Sequence, residues 1–228
     1  MASLRTGKKE TAAGTGCFLT FVPMLLVMVG LSLGFVLYFA LSSPGLPVEA
    51  MSAPLAADGA RAGKLAGFYS PSVLRWSAAL NNWSEQYGLD VNLVATVMQI
   101  ESCGDPEALS SAGASGLFQV MPFHFTPGED ALNPTTNAHR GLSYLKQSLD
   151  SAGGDVYKAL AGYNGGIGVQ QYDSNYWPDE TRRYADWGYR IYLEAASGAA
   201  ESQALQEWLN SGGSHLCEQA ARRTAWSW

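Results

Sequence analysis

The residues from Cys17 to Leu41 form a run of 25 positions without a single charged side chain. About 20 consecutive apolar residues are enough to cross the hydrocarbon core of a bilayer as a helix. The run includes Pro23 and several glycines, which transmembrane helices tolerate. We therefore interpret residues 17–41 as a transmembrane helix.

A cleavable signal peptide is the alternative interpretation of this run. The apolar part of a signal peptide has only about 7–15 residues, which is shorter than the run observed here. Weak matches to a cleavage site nevertheless occur at residues 48–50 and 51–53. Under either interpretation, the rest of the chain is exported.

The basic residues Arg5, Lys8 and Lys9 precede the apolar run. Because positive charge is retained on the cytoplasmic side, residues 1–16 are predicted to be cytoplasmic and everything after Leu41 to be outside. The chain is thus predicted to be a single-pass protein of the cell membrane. Residues 42–68 are rich in Pro, Gly, Ala and Ser and are predicted to link the span to a domain over residues 69–228.

The charge of the chain restricts its partners. The formal net charge is −6, and three of the basic residues lie before the apolar run. The exported part is therefore even more acidic and has no basic stripe that could follow a phosphate backbone. We exclude nucleic acid as a partner.

Helical periodicity dominates the exported part, and strand signals are scarce, so we predict a mainly α fold. The hydroxyl of Ser70 and the carboxylates of Asp90 and Asp155 are expected to cap helices. The predicted helices run from Ser70-Pro71 to Gly88, from Asp90 to Glu101, from Asn133-Pro134 to Ser151, from Asp155 towards Tyr163, from Thr181 to Ala196 and from about Glu201 to Asn210.

Glu101 is the most unusual charged residue of these helices. It occupies the last turn of a predominantly apolar helix, where the helix dipole disfavours negative charge. Apolar neighbours disfavour the ionised form as well. We therefore predict a raised pKa, as a proton donor near neutral pH requires. Asp105 and Glu107 follow closely, but the turn at Pro106 is expected to direct them to solvent.

The chain contains three cysteines, of which Cys17 lies in the predicted span. The other two, Cys103 and Cys217, are in the exported part, where cysteines usually pair. We predict a Cys103–Cys217 disulfide, and two buried free thiols remain the alternative. The histidines are too scattered to suggest a metal site, and we expect neither a metal nor another cofactor.

Three segments resemble the motifs of the soluble-lytic-transglycosylase (SLT) domain family. The first, at residues 100–122, reads IESCGDPEALSSAGASGLFQVMP and resembles the family's catalytic signature, with Phe118 where Met is usual. The others read ALAGYNGG at residues 159–166 and ETRRY at residues 180–184. The resemblance covers roughly residues 72–196. It implies a goose-lysozyme-like, α+β lysozyme-type fold with peptidoglycan glycan strands as substrate.

The resemblance also implies roles for individual residues. Glu101 corresponds to the single catalytic carboxyl of the family, first the general acid and then the base in forming a 1,6-anhydro product. The residues that correspond to substrate-contacting positions are Ser110, Gln119, Met121, Tyr163, Asn164, Glu180 and Tyr184. From the residues alone, Ser110 could equally be a turn serine, Met121 a core residue and Glu180 a favourable charge in the first turn of its helix. A hydrolytic muramidase and a non-catalytic wall-binding scaffold remain alternatives for the whole chain.

Overall fold

The computed structural model describes residues 63–224. The predicted transmembrane span at residues 17–41 lies outside the described residues. Within residues 63–224, no helix is long and apolar enough to cross a membrane. The α-helices in this part of the chain are α1 (Pro71–Leu74), α2 (Ser77–Tyr87), α3 (Val91–Glu101), α4 (Pro134–Ser151), α5 (Val156–Gly165), α6 (Asp179–Ala196), α7 (Gln203–Trp208) and α8 (Ser214–Thr224).

Helix α3 forms the centre of the domain, with α1, α2 and α6 packed around it. Its first nine residues, 91–99, are all buried, including three polar ones. These polar side chains are satisfied by long-range hydrogen bonds: Asn92 Oδ1 accepts from the Ala66 amide at 2.9 Å, and Gln99 Oε1 accepts from the Ser70 amide at 3.0 Å. A helix buried on all sides holds its last residue, Glu101, in a fixed position.

Two of the three predicted N-caps are confirmed. The side chain of Asp90 accepts hydrogen bonds at the start of α3, and that of Asp155 does so at the start of α5. Helix α4 begins at Pro134, as the sequence predicted, and Asn133 caps it, which was not predicted. Gly88 ends α2 in the left-handed conformation at φ 61°, a conformation that is easiest for glycine.

The predicted cap at Ser70 is wrong. Its side chain makes no capping hydrogen bond, because the hydroxyl instead accepts from Gln99 Nε2 at 3.0 Å. The helix predicted from residue 71 to residue 87 is also interrupted at Arg75 and Trp76. The indole of Trp76 donates to the Gly104 carbonyl at 2.9 Å, so this interruption contacts the segment that follows Glu101.

The prediction of a mainly α fold is confirmed. Within the described residues, the only β pairing consists of two isolated bridges, Leu109 with Ser115 and Ser115 with Val120. Both bridges lie in the loop between α3 and α4. They fold this loop back on itself beside Glu101.

The last predicted helix is shorter than expected and is followed by another helix. Helix α7 ends at Trp208, and a π-helical segment at Leu209–Gly213 leads into α8. Helix α8 was missed because its sequence is polar, but it packs against α1. The predicted disulfide is present: Cys217 of α8 is bonded to Cys103, with the Cα atoms 5.0 Å apart.

Candidate active site

Glu101 lies at the C-terminal end of α3, where the helix meets an open groove. The groove has a volume of about 380 Å³. Its walls come from the loop between α3 and α4, from α4 and α5, and from the start of α6. The lining residues are Glu101, Ser110, Ser111, Ala112, Ala114, Gln119, Val120, Met121, His124, Arg140, Gly141, Tyr144, Tyr163, Asn164 and Glu180.

The Glu101 carboxyl is in a poorly solvated position, which raises its pKa to about 8. Burial is the main cause, and the negative charge of Glu180 acts in the same direction. The nearby Tyr184 hydroxyl opposes them by stabilising the ionised form. The prediction of a raised pKa is confirmed, and at neutral pH most of the Glu101 population carries a proton.

Two tyrosines stand next to this carboxyl. Tyr163 donates its hydroxyl hydrogen to the Phe118 carbonyl at 2.7 Å, which fixes the ring against the loop. The Tyr184 hydroxyl is buried and makes no hydrogen bond of standard geometry within residues 63–224, although it interacts with Glu101. Burial, reinforced by the charge of Glu101, raises the pKa of both phenols far above the ordinary value, so both stay neutral.

Hydrogen bonds within the α3–α4 loop shape the part of the groove wall that this loop forms. The Ser110 hydroxyl accepts from the Ala114 amide at 2.9 Å and closes a tight turn. Gln119 has a left-handed backbone at φ 44°, and its Nε2 donates to the carbonyls of Ala108 and Gly116. The side-chain amide of Gln119 therefore stabilises the loop, and the same residue lines the groove.

Asn137 of α4 anchors the same loop from the inside. Its Oδ1 accepts from the Phe118 amide at 2.9 Å, and its Nδ2 donates to the Ser115 carbonyl at 2.7 Å and to the Ala131 carbonyl at 3.0 Å. The contact is close, because a Cβ on Gly116, at φ +76°, would lie 2.4 Å from Asn137 Nδ2. Only glycine fits at that position without moving the anchor.

The segment directly after Glu101 is held by the C-terminal helix. Besides the disulfide at Cys103, Arg223 of α8 forms a salt bridge with Asp105 at 3.0 Å and donates to the Glu107 carbonyl at 2.6 Å. The expectation that Asp105 faces solvent is wrong, since its side chain is only 2% exposed. The buried carboxylate is stable there because a guanidinium and the Glu107 amide both donate to it.

The residues singled out from the sequence converge on the groove. Glu101, Ser110, Gln119, Met121, Tyr163, Asn164 and Glu180 line it, and Tyr184 lies behind Glu101. Eight further lining residues were not predicted: Ser111, Ala112, Ala114, Val120, His124, Arg140, Gly141 and Tyr144. Three of them share one face of α4, which could have been recognised from the spacing of residues 140, 141 and 144.

The fold and the site define a class: a helical domain with one protonated carboxyl at the edge of an open, partly aromatic groove. The family model of the Transglycosylase SLT domain matches residues 78–183. This part of the chain is therefore similar to the transglycosylase SLT domain family.

Known proteins with similar sequences are also named as transglycosylases. The "Transglycosylase" of Enterobacteria phage PRD1 is 38% identical over 113 residues, which is 49% of this chain and 40% of that protein. The "Membrane-bound lytic murein transglycosylase C" of Haemophilus influenzae strain PittEE is 35% identical, covering 38% of this chain and 30% of the relative. The chain thus spans well under half the length of these relatives.

A similar solved structure is an inactive variant of the lytic transglycosylase Slt from Pseudomonas aeruginosa. It is 25% identical, with a TM-score of 0.46. The match covers 57% of this chain and 25% of that one.

Proposed function

We propose that this chain is a membrane-anchored lytic transglycosylase that cleaves the glycan strands of peptidoglycan. The bond cleaved is the β-1,4 linkage between N-acetylmuramic acid and N-acetylglucosamine. The observation that carries the proposal is a carboxyl with a pKa of about 8 that opens onto a groove. Such a group is a proton donor at neutral pH, as departure of a sugar hydroxyl requires.

In the proposed reaction, Glu101 first acts as a general acid. Its proton passes to the bridging oxygen while the bond from that oxygen to C1 of the muramic acid breaks, so N-acetylglucosamine leaves with a free hydroxyl. The Glu101 carboxylate then removes the proton of the muramic C6 hydroxyl as the C6 oxygen attacks C1. A 1,6-anhydro ring forms, and Glu101 regains its proton without consuming water.

This intramolecular ring closure suits a site with one well-placed acid. The attacking hydroxyl belongs to the sugar whose C1 reacts, so little further entropy is lost in bringing the two together. The neutral phenols of Tyr163 and Tyr184 limit the solvation of Glu101 and position its carboxyl. Ser110, Gln119, Met121 and Asn164 are proposed to contact the sugars, since all four border the groove.

A second candidate is hydrolysis, as in a muramidase. Glycosidases that use water usually employ two carboxylates, and Glu180 lines the same groove as Glu101. Its charge also acts on Glu101. In this reading, Glu180 would activate a water molecule as a general base.

The products distinguish the two reactions. Purified peptidoglycan would be digested with the wild-type protein and the fragments analysed by mass spectrometry. Muramic ends that are one water lighter than reducing ends support the transglycosylase, whereas exclusively reducing ends would support hydrolysis.

The role of Glu101 is tested by Glu101→Gln, which keeps the shape of the side chain but removes its proton. We expect turnover to fall on the order of 10³-fold. Glu107→Gln is the matched control, because Glu107 is exposed and outside the groove. Equal activity of wild type and Glu101→Gln would refute the mechanism. A wild type that binds glycan but never cleaves it would favour the scaffold alternative.

Anchoring is proposed from the apolar run at residues 17–41, with the catalytic domain outside the cytoplasm. The name of the Haemophilus relative, which includes "membrane-bound", supports this placement. Fractionation of cells that express the full chain tests it. Recovery of the full-length protein in the soluble fraction would contradict it.

A further inference from the structure

A row of four aromatic rings leads from the catalytic centre to the outer surface of the domain. Neighbouring ring centres are 5.9 Å apart from Tyr163 to Tyr144, 4.7 Å from Tyr144 to His124, and 4.5 Å from His124 to Phe123. The first three rings line the groove that contains Glu101. Phe123, the fourth ring, does not line the groove, so the row extends from the groove onto the neighbouring surface.

Phe123, the last ring of the row, is 75% exposed. It belongs to a short 3-10 turn at Pro122–His124, which Met121 and Phe125 hold by hydrogen bonds to its backbone. Phe125 packs against the core, whereas Phe123 does not. Because the turn is held by its neighbours, burial of the Phe123 ring is not what stabilises this segment.

The chemistry of the row fits a sugar. A pyranose ring has one face of C–H groups, which packs on aromatic rings, and an edge of hydroxyl and amide groups, which needs hydrogen-bond partners. Polar partners stand beside the row. Burial lowers the pKa of His124, so its imidazole is neutral near pH 7 and has both a donor and an acceptor nitrogen.

Arg140 supplies a further donor at this end of the groove. Its Nε and Nη2 are held by Glu129 at 2.9 and 2.6 Å. The residue also lines the groove. Glu129 neutralises the guanidinium, so the site suits an uncharged saccharide better than an anion.

We propose that Phe123, His124 and Tyr144 form an additional saccharide-binding subsite for a part of the glycan strand remote from the scissile bond. This inference rests on the proposed function, since it assigns the occupant from continuity with the groove of Glu101. The subsite holds long strands in register and contributes little to short ones that end before reaching it. Longer glycans therefore bind more tightly.

The test uses the full-length protein with Glu101→Gln, so that bound sugars are not cleaved. Affinities for β-1,4-linked N-acetylglucosamine oligomers of two to six units are measured by isothermal titration calorimetry. Adding Phe123→Ala should weaken binding of the longest oligomer on the order of three- to ten-fold, with progressively smaller losses for shorter ones. Phe123→Tyr, which keeps a ring at this position, should restore the affinity.

Tyr176→Ala is the matched control, because Tyr176 is 80% exposed and does not line the groove. We expect it to leave all affinities unchanged. If Phe123→Ala binds every length like its parent, or if Tyr176→Ala loses as much affinity, the subsite is refuted while the proposed function stands. If the parent binds no oligomer of any length, the proposed function fails as well.

Discussion

Two segments border the groove and are built in different ways. The inner loop, residues 102–114, follows Glu101 directly and is tied to distant parts of the chain by the Cys103–Cys217 disulfide and the Asp105–Arg223 salt bridge. The outer loop, residues 121–130, is mostly exposed and is held by local turns and the Glu129–Arg140 pair. Residues 115–120 lie between them and are anchored by Asn137.

Under the proposed function, this difference corresponds to a division of tasks between the two loops. A catalytic carboxyl must be held within fractions of an ångström, and cross-links to a helical core provide that rigidity. A surface that contacts a long, variable polymer needs exposed side chains and can tolerate substitution. Variants in the inner loop should therefore affect stability, whereas variants in the outer loop should affect binding.

The largest effect is expected from removing the disulfide by Cys103→Ala with Cys217→Ala. The bond spans 114 residues, and closing so long a loop restricts the unfolded chain strongly. We expect the free energy of unfolding to fall by about 4 kcal/mol, with a lower Tm in calorimetry. Treating the wild type with a reductant should reproduce the change. If the free energy of unfolding fell by less than about 1 kcal/mol, the disulfide would not account for the difference between the two loops.

A somewhat smaller loss is expected for Asn137→Leu, which keeps the volume but removes the anchor between the loops. The Phe118 amide and the carbonyls of Ser115 and Ala131 would lose their partners. We expect the free energy of unfolding, measured by urea denaturation, to fall by about 3 kcal/mol, because buried unpaired backbone groups are unfavourable. Gln147→Ala, an exposed change on the same helix, should change stability by less than about 0.5 kcal/mol.

Next in size is Arg223→Ala, which leaves the buried Asp105 carboxylate without its guanidinium partner. We expect the free energy of unfolding to fall by about 1–2 kcal/mol. The effect is smaller than for a fully buried ion pair, because the Arg223 side chain is 39% exposed. The neighbouring Arg222→Ala is the control, since its pair with Glu218 is exposed and 3.7 Å long. Equal losses from the two variants would show that the salt bridge has no special role.

The titration of Glu101 should make stability depend on pH. Burial raises its pKa from the ordinary value of 4.5 to about 8, so between these values the folded protein holds a proton that the unfolded chain has lost. Stability should therefore decrease as pH rises through this window, by on the order of 1 kcal/mol per pH unit. Glu101→Gln should lack this component in urea denaturation at pH 5, 6, 7 and 8. Parallel curves for the two proteins would contradict the raised pKa.

The smallest effect on stability is expected for Phe123→Ala in the outer loop. Because this ring is 75% exposed, its removal should change the free energy of unfolding by less than about 0.5 kcal/mol. Urea denaturation measures this. A loss above about 1 kcal/mol would mean that the outer loop is structural too, and the contrast between the loops would disappear.

The sequence predicted the features that depend on neighbouring residues. Asp90 and Asp155 cap helices as expected because a cap needs only the two or three following amides. Ser70 has an equally good local signal, but the tertiary contact with Gln99 prevails. Asp105 was misplaced for the same reason, since its partner Arg223 lies 118 residues away.

The groove residues that belong to recognisable sequence motifs could be predicted, whereas the others could not. Glu101, Gln119 and Tyr163 were found because they belong to segments that resemble a family signature, and the groove unites them. His124 was dismissed because a histidine outside a metal-ligand pattern gives no local signal. Its proposed role depends on Tyr144 of α4, whose ring centre lies 4.7 Å from that of the imidazole.

The bond between Cys103 and Cys217 also determines when the site can become complete. A ribosome adds Glu101 and Cys103 more than a hundred residues before it adds Cys217 and Arg223, whose sulfur and guanidinium hold the segment after Glu101. A nascent or prematurely terminated chain therefore carries the acid without its support. The complete support of Glu101 therefore exists only in a chain that has been synthesised through α8 and has formed its disulfide in an oxidising environment.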